Sequence, residues 1–76
     1  MSFLSNLKQG QVGEIIEICT DLSNQYRRRI GNLGFVLGTF VKVLKVSLKK
    51  RTMLLELRGN VLTVETDICS KIKVKL

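Results

Sequence analysis

Residues 27–43 read RRRIGNLGFVLGTFVKV, and within them a basic helix ends on a glycine and hands the chain to a strand. Counting back from Gly34, the apolar residues Leu22, Tyr26, Ile30 and Leu33 recur at i, i+4, i+8 and i+11, which is one stripe of a 3.6-residue helix. Thr20 or Asp21 is a candidate N-cap, because a short side-chain oxygen can accept from the first free backbone N–H groups. Gly34 can adopt the left-handed conformation that closes a helix without a Cβ clash, so the helix stops before Phe35. Arg27, Arg28 and Arg29 then lie toward the negative pole of the helix dipole. Gly31 is costly inside a helix, by about 0.8 to 1 kcal/mol relative to alanine, and is read here as a point of close backbone packing. Gly38 reads as a turn before the apolar run that begins at Thr39.

Working outward, strands account for most of the remaining chain. Gly10 and Gly13 bracket the start of a first strand, 12–19, whose apolar alternation slips among Ile15, Ile16 and Ile18; a bulge reconciles the slip. A second strand, 39–47, places Val41 and Val43 on one face and slips again near Leu44, with Lys42 and Lys45 toward water. Residues 47–51, SLKKR, lack Gly and Pro and read as a hairpin loop of several residues, solvated rather than a binding finger. Met53, Leu55 and Leu57 then alternate with Leu54, Glu56 and Arg58, and Gly59-Asn60 is expected to supply a two-residue turn. Leu62 and Val64 point inward on the return strand, and 67–70 is a brief helical turn that carries Ile68 to the core. Ile72, Val74 and Leu76 alternate with Lys71, Lys73 and Lys75, which would protect an edge strand from pairing with other chains. Phe3, Leu4 and Leu7 can fold back onto the core. The expectation is a mainly β chain, a single domain over 1–76: a small closed antiparallel barrel of about five strands, with one short α-helix between strands 1 and 2.

The charge balance bounds the partners. Thirteen basic and six acidic residues give a net charge of +7, and residues 22–76 hold twelve of the basic ones against three acidic. Such a field suits nucleic acid, an anionic membrane surface or an acidic protein patch. No apolar run approaches the roughly 18 residues of a membrane span, and the N-terminus lacks a basic region followed by an apolar one, so a soluble intracellular protein is expected.

Catalysis is poorly supplied. There is no histidine, no phosphate-binding glycine motif, and no pair of carboxylates set apart; Glu14 and Glu17, three apart on a strand, are expected on opposite faces. Cys19 and Cys69 lie fifty positions apart without a CxxC spacing and read as small reduced core thiols, so neither a metal site nor a cofactor is expected. What remains is a binding module, either a protein-interaction barrel or a basic nucleic-acid-binding barrel. The aromatic set is only Phe3, Tyr26, Phe35 and Phe40, and nucleic-acid readers usually interleave aromatics with their cations.

An ordered pattern covers nearly the whole chain: Leu7-x-x-Gly10-x-x-Gly13-x-Ile15-x-x-Ile18, Arg29-Ile30-Gly31-Asn32-Leu33-Gly34-Phe35-x-x-Gly38-x-x-Val41-x-Val43, Leu57-Arg58-Gly59-x-x-Leu62-x-Val64, and Ile72-x-Val74. It resembles the FeoA family, whose core domain also closes some iron-dependent repressors. The resemblance implies an SH3-like barrel at the cytoplasmic face of the cell membrane, serving bacterial ferrous iron uptake as a non-enzymatic partner of the GTPase-permease FeoB. Two turns depart from the family: Leu37 stands where proline is common, and SLKKR replaces a loop that often carries Gly-Asp-Pro. Carried onto residues, the helix and following turn become the contact surface, with Arg27, Arg28, Asn32, Phe35 and, across the barrel mouth, Arg58 as the partner-binding set, the alternatives being a solvated helix face for the arginines and a core position for Phe35. Gly10, Gly13, Gly34, Gly38 and Gly59 are its turn glycines.

Overall fold

The computed structural model describes residues 2–19 and 24–76, without the side chains of Asn24 and Tyr26. The candidate caps Thr20 and Asp21, and the Leu22 and Tyr26 side chains of the helical stripe, therefore lie outside the described residues.

The elements run β1 (Ser2–Phe3), a 3₁₀ turn (Leu4–Asn6), β2 (Val12–Ile18), α1 (Asn24–Asn32), β3 (Phe40–Ser47), β4 (Thr52–Leu57), β5 (Asn60–Glu65), α2 (Thr66–Cys69) and β6 (Ile72–Lys75). All strand pairs are antiparallel and form one sheet in the order β1-β6-β2-β3-β4-β5. The mainly β, barrel-like expectation holds, with one strand more than expected. Closure does not, because β1 and β5 are edges that do not pair with each other. β1 escapes sequence detection because two residues are too few to show a period, yet Ser2 and Phe3 pair with Val74 and Lys73. That addition buries β6 between β1 and β2, so Lys71, Lys73 and Lys75 guard no sheet edge.

Both sequence slips are bulges. The β2–β6 register shifts between Ile15 and Glu17, and the β3–β4 register shifts between Val43 and Lys45. The first corrects the expectation for the carboxylates. Glu14 pairs with Lys75 and Glu17 with Lys73, so the bulge brings both glutamates onto the lysine face. There Lys73 Nζ lies 3.6 Å from Glu17 Oε2 and 5.8 Å from the centre of the Phe3 ring. The other face supplies the core, with Ile15, Val41, Val43, Met53, Leu55, Ile72 and Val74 fully buried beside Leu4 and Ile68. Leu76, expected inward, is exposed beyond the end of β6.

Two glycine expectations need correction. Gly13 lies within β2 rather than in a turn; a Cβ there would come 2.9 Å from Val74 Cβ, so glycine is what lets β2 and β6 approach. Gly31, expected at a close contact, is exposed, and an added Cβ would meet nothing within 4 Å. The β4–β5 turn also moves back by one residue. Leu57 pairs with Asn60, leaving Arg58 and Gly59 as the two central residues at φ 53° and 83°. Both take the positive φ that this tight hairpin turn demands.

Gly34, at φ 96°, closes α1 as expected. Its N–H donates to the Gly31 carbonyl at 3.0 Å and the Phe35 N–H to the Ile30 carbonyl at 3.2 Å, a Schellman closure. Ile30 and Phe35, which flank that closure, are both core residues. Gly34→Ala should therefore lower the unfolding free energy by about 1–2 kcal/mol, while Gly31→Ala, three positions away, should raise it by up to about 1 kcal/mol. Urea midpoints at unchanged slope measure both.

Candidate partner-binding surface

Helix α1 presents Arg27, Arg28 and Asn32 to solvent. Arg29, beside them, is engaged: its Nη2 donates to both carboxylate oxygens of Glu65, at 2.7 and 2.9 Å, across to the edge strand β5. With both side chains about half exposed, that ion pair contributes little to stability.

Phe35 does not present a surface. It is 2% exposed and belongs to the hydrophobic cluster with Ile30 and Leu57, because the Schellman closure turns the chain inward at this residue. It forms instead part of the wall of a cleft of about 280 Å³, lined by Ile18, Cys19, Arg27, Ile30, Gly31 and itself. The open space over Gly31 belongs to that cleft.

Arg58 lies in a second cleft, of about 410 Å³, with Val12, Phe40, Lys42, Glu56 and Gly59. The end of α1 packs against the strand that leads to Arg58: a Cβ on Gly34 would lie 3.4 Å from Leu57 Cδ2, one residue before Arg58. Between them the chain crosses in a turn in which the Thr39 N–H donates to the Val36 carbonyl at 3.1 Å. Leu37 takes the second position of that turn, where proline is favoured but not required, so the family departure leaves the turn formed. The Gly38 N–H donates to the Ile15 carbonyl at 2.7 Å and pins the turn to β2.

The sequence reading missed the apolar part of this surface. Leu37 is 60% and Phe40 63% exposed, with Val36 and Val12 about half exposed. Phe40 had a legible signal, since it alternates with the inward Val41 and falls on the same face as Lys42. Val36 and Leu37 had none, because a short apolar run after a helix looks the same whether it faces the core or water. The exposed Phe40 also removes part of the argument against a nucleic-acid reader, although the other ring whose setting is described outside the core, Phe3, sits under Lys73.

Among the described residues no group of three or more His, Cys, Asp or Glu side chains is placed to hold a metal ion, and no helix is long and apolar enough to cross a membrane. The two thiols are free and differ in setting. Cys69 is buried at the end of α2, and burial, helped by the charge of Glu65, pushes its pKa up to about 12. Cys19 is half-buried on the wall of the first cleft.

The profile of the FeoA domain matches residues 3–76. The chain belongs to the FeoA family. Membership implies involvement in ferrous iron transport. Comparison with curated proteins by sequence gives no match. Among solved structures it is similar to the FeoA protein from Chlorobium tepidum, at 28% identity and a TM-score of 0.83 over 97% of this chain and 69% of that one. It is similar also to a FeoA-like protein from Clostridium acetobutylicum, at 23% identity and 0.87 over 99% and 85%. A manganese-dependent transcriptional repressor shares the fold at 18% identity, with a TM-score of 0.89 over 96% of this chain but 39% of that chain.

The raised Cys69 pKa fixes a pH dependence. The unfolded thiol loses its proton near pH 9 while the folded one keeps it to about 12, so this contribution is complete below pH 9 and is lost above it. This thiol should lower stability by up to about 1.4 kcal/mol per pH unit between those values, and Cys69→Ala should lack that part of the slope. Iodoacetamide should label Cys19 in the folded protein and Cys69 only on unfolding, as read by peptide mass.

Proposed function

We propose that this protein is a non-enzymatic accessory factor of ferrous iron uptake that docks, on the cytoplasmic side of the membrane, onto the GTPase-permease FeoB. The observation that supports the reading, beyond family membership, is the exposed apolar set Val36, Leu37, Phe40 and Val12, of which Val12 and Phe40 share a cleft with the cations Lys42 and Arg58, while Arg27 and Arg28 stand exposed on α1. Interfaces of this kind pair a small apolar centre with a polar rim, and the aromatic and the arginines are the side chains that most often dominate binding. A rim of one sign of charge steers an acidic partner face and speeds encounter. The helix end and the turn after it are held by the Schellman closure and the Gly38–Ile15 hydrogen bond, so little ordering remains to oppose docking. The protein then acts by occupying a face of the GTPase domain, and no step of chemistry is assigned to it.

The competing reading is a basic nucleic-acid-binding barrel. It draws on the +7 charge but lacks stacking partners, because Phe40 is the one ring among the described side chains that stands open.

Titration of the purified protein against the cytoplasmic GTPase domain at physiological salt should give saturable binding. Phe40→Ser should weaken it ten-fold or more, in line with the roughly 2 kcal/mol of an interface hot spot. Arg27→Glu with Arg28→Glu should slow association and reduce its salt dependence. Salt-resistant binding to mixed-sequence DNA or RNA, with no affinity for the GTPase domain, would reverse the assignment.

A further inference from the structure

A separate surface lies on the β3–β4 hairpin. Ser47 and Thr52 form its last cross-strand pair, and residues 48–51 make the crossing. Leu48, the first residue of that crossing, is 88% exposed, and Lys49, Lys50 and Arg51 follow it, all exposed. The loop has a defined shape: Arg51 sits at φ 54°, its carbonyl accepts from the Thr66 N–H at 2.9 Å, and the Lys50 N–H donates to Ser47 Oγ at 3.3 Å. Beside the crossing, on the outer face of the sheet, Lys45, Ser47, Lys50, Thr52, Leu54 and Thr63 line a concavity of about 350 Å³. Two lysines and three hydroxyl-bearing residues thus line one concavity, a lining whose chemistry suits a phosphate. The carboxylate in register with the base of the hairpin, Glu65 opposite Thr52, is already taken by Arg29.

The chemistry of the partner follows from two demands made together. Lys45, Lys49, Lys50 and Arg51 require anions, which nucleic acid, an acidic protein or an anionic membrane could supply. The exposed Leu48 favours an apolar medium that a single projecting side chain can enter without a complementary pocket. Nucleic acid offers no such medium, and residues 45–54 contain no aromatic on which a base could stack. An anionic bilayer interface meets both demands, since apolar side chains enter the boundary of the acyl region while lysines and arginines remain among the phosphates.

We propose that the β3–β4 hairpin seats this protein directly on an anionic lipid surface, with Leu48 inserted, Lys49 and Arg51 on headgroup phosphates, and one phosphate held between Lys45 and Lys50. This goes beyond the proposed docking on FeoB and uses none of the same residues.

Flotation of the full-length protein with vesicles tests it, using phosphatidylcholine alone and phosphatidylcholine enriched in phosphatidylglycerol. The protein should float with the second and not the first. Each cation near such a surface strengthens binding roughly five-fold, so Lys49→Glu with Lys50→Glu should weaken partition by about 25-fold or more. Leu48→Ser should weaken it about ten-fold and keep the same salt slope, because it removes an apolar term alone. A Leu48→Trp reporter should shift its emission to the blue on anionic vesicles, while Val61→Trp, on the exposed side of β5, should not. Absence of flotation by the native protein at physiological salt would overturn the inference, as would full flotation of Leu48→Ser with no shift in the Leu48→Trp reporter. Full competition by soluble glycerol phosphate, or loss of DNA binding rather than vesicle binding in the lysine variant, would overturn it as well. Binding to the GTPase domain is read without vesicles, so failure here and failure of the docking reading are distinguishable.

Discussion

The structure turns on the closure of α1 at Gly34. A residue with a Cβ would resist φ 96°, and without that conformation the Gly34 and Phe35 N–H groups could not reach back to the Gly31 and Ile30 carbonyls. The closure decides two things at once. It sends Ile30 and Phe35 into the common core, which fixes the helix against the sheet, and it sends Val36 and Leu37 outward into a turn pinned to β2. Fold and candidate binding surface are consequently two outcomes of one reversal of chain direction.

Around it, the sheet is organised by departures from regularity. The bulge between Ile15 and Glu17 keeps Ile15 and Ile18 facing inward while collecting Glu14 and Glu17 with Lys73 and Lys75 outside. The bulge between Val43 and Lys45 does the same for β3, keeping Val43 and Val46 on the core side and Lys45 on the outer face that bears the concavity. Gly13 permits β2 and β6 to approach more closely than any side chain would allow. Each device adds curvature, and a curved sheet can wrap one hydrophobic cluster in a chain this short.

The strands, the helix and both bulges were legible in the sequence because burial on one face imposes a period, and a bulge leaves a readable slip in it. Three features were not. β1 has two residues and no period of its own. The β4–β5 turn falls on Arg58-Gly59 rather than Gly59-Asn60 because the buried position of Leu57 fixes the register, overriding the usual preference for asparagine at positive φ. Gly31 looked like a packing contact because a helix-interior glycine is costly, whereas it borders an open cleft. Of the residues assigned to partner binding from the resemblance, Arg27, Arg28, Asn32 and Arg58 are exposed and Phe35 is core. Among the described side chains the aromatic that meets solvent is Phe40, five residues later, and only its alternation with Val41 foretells it.

The most direct test of the account is to map amide chemical-shift changes in isotope-labelled protein as the cytoplasmic GTPase domain of FeoB is added. Docking through the end of α1 and the following turn should concentrate the changes at Arg27, Arg28, Asn32, Val36, Leu37, Phe40 and Arg58, with residues 48–51 unaffected. Changes confined to the β3–β4 hairpin, or spread evenly along the lysine face of β6, would contradict it.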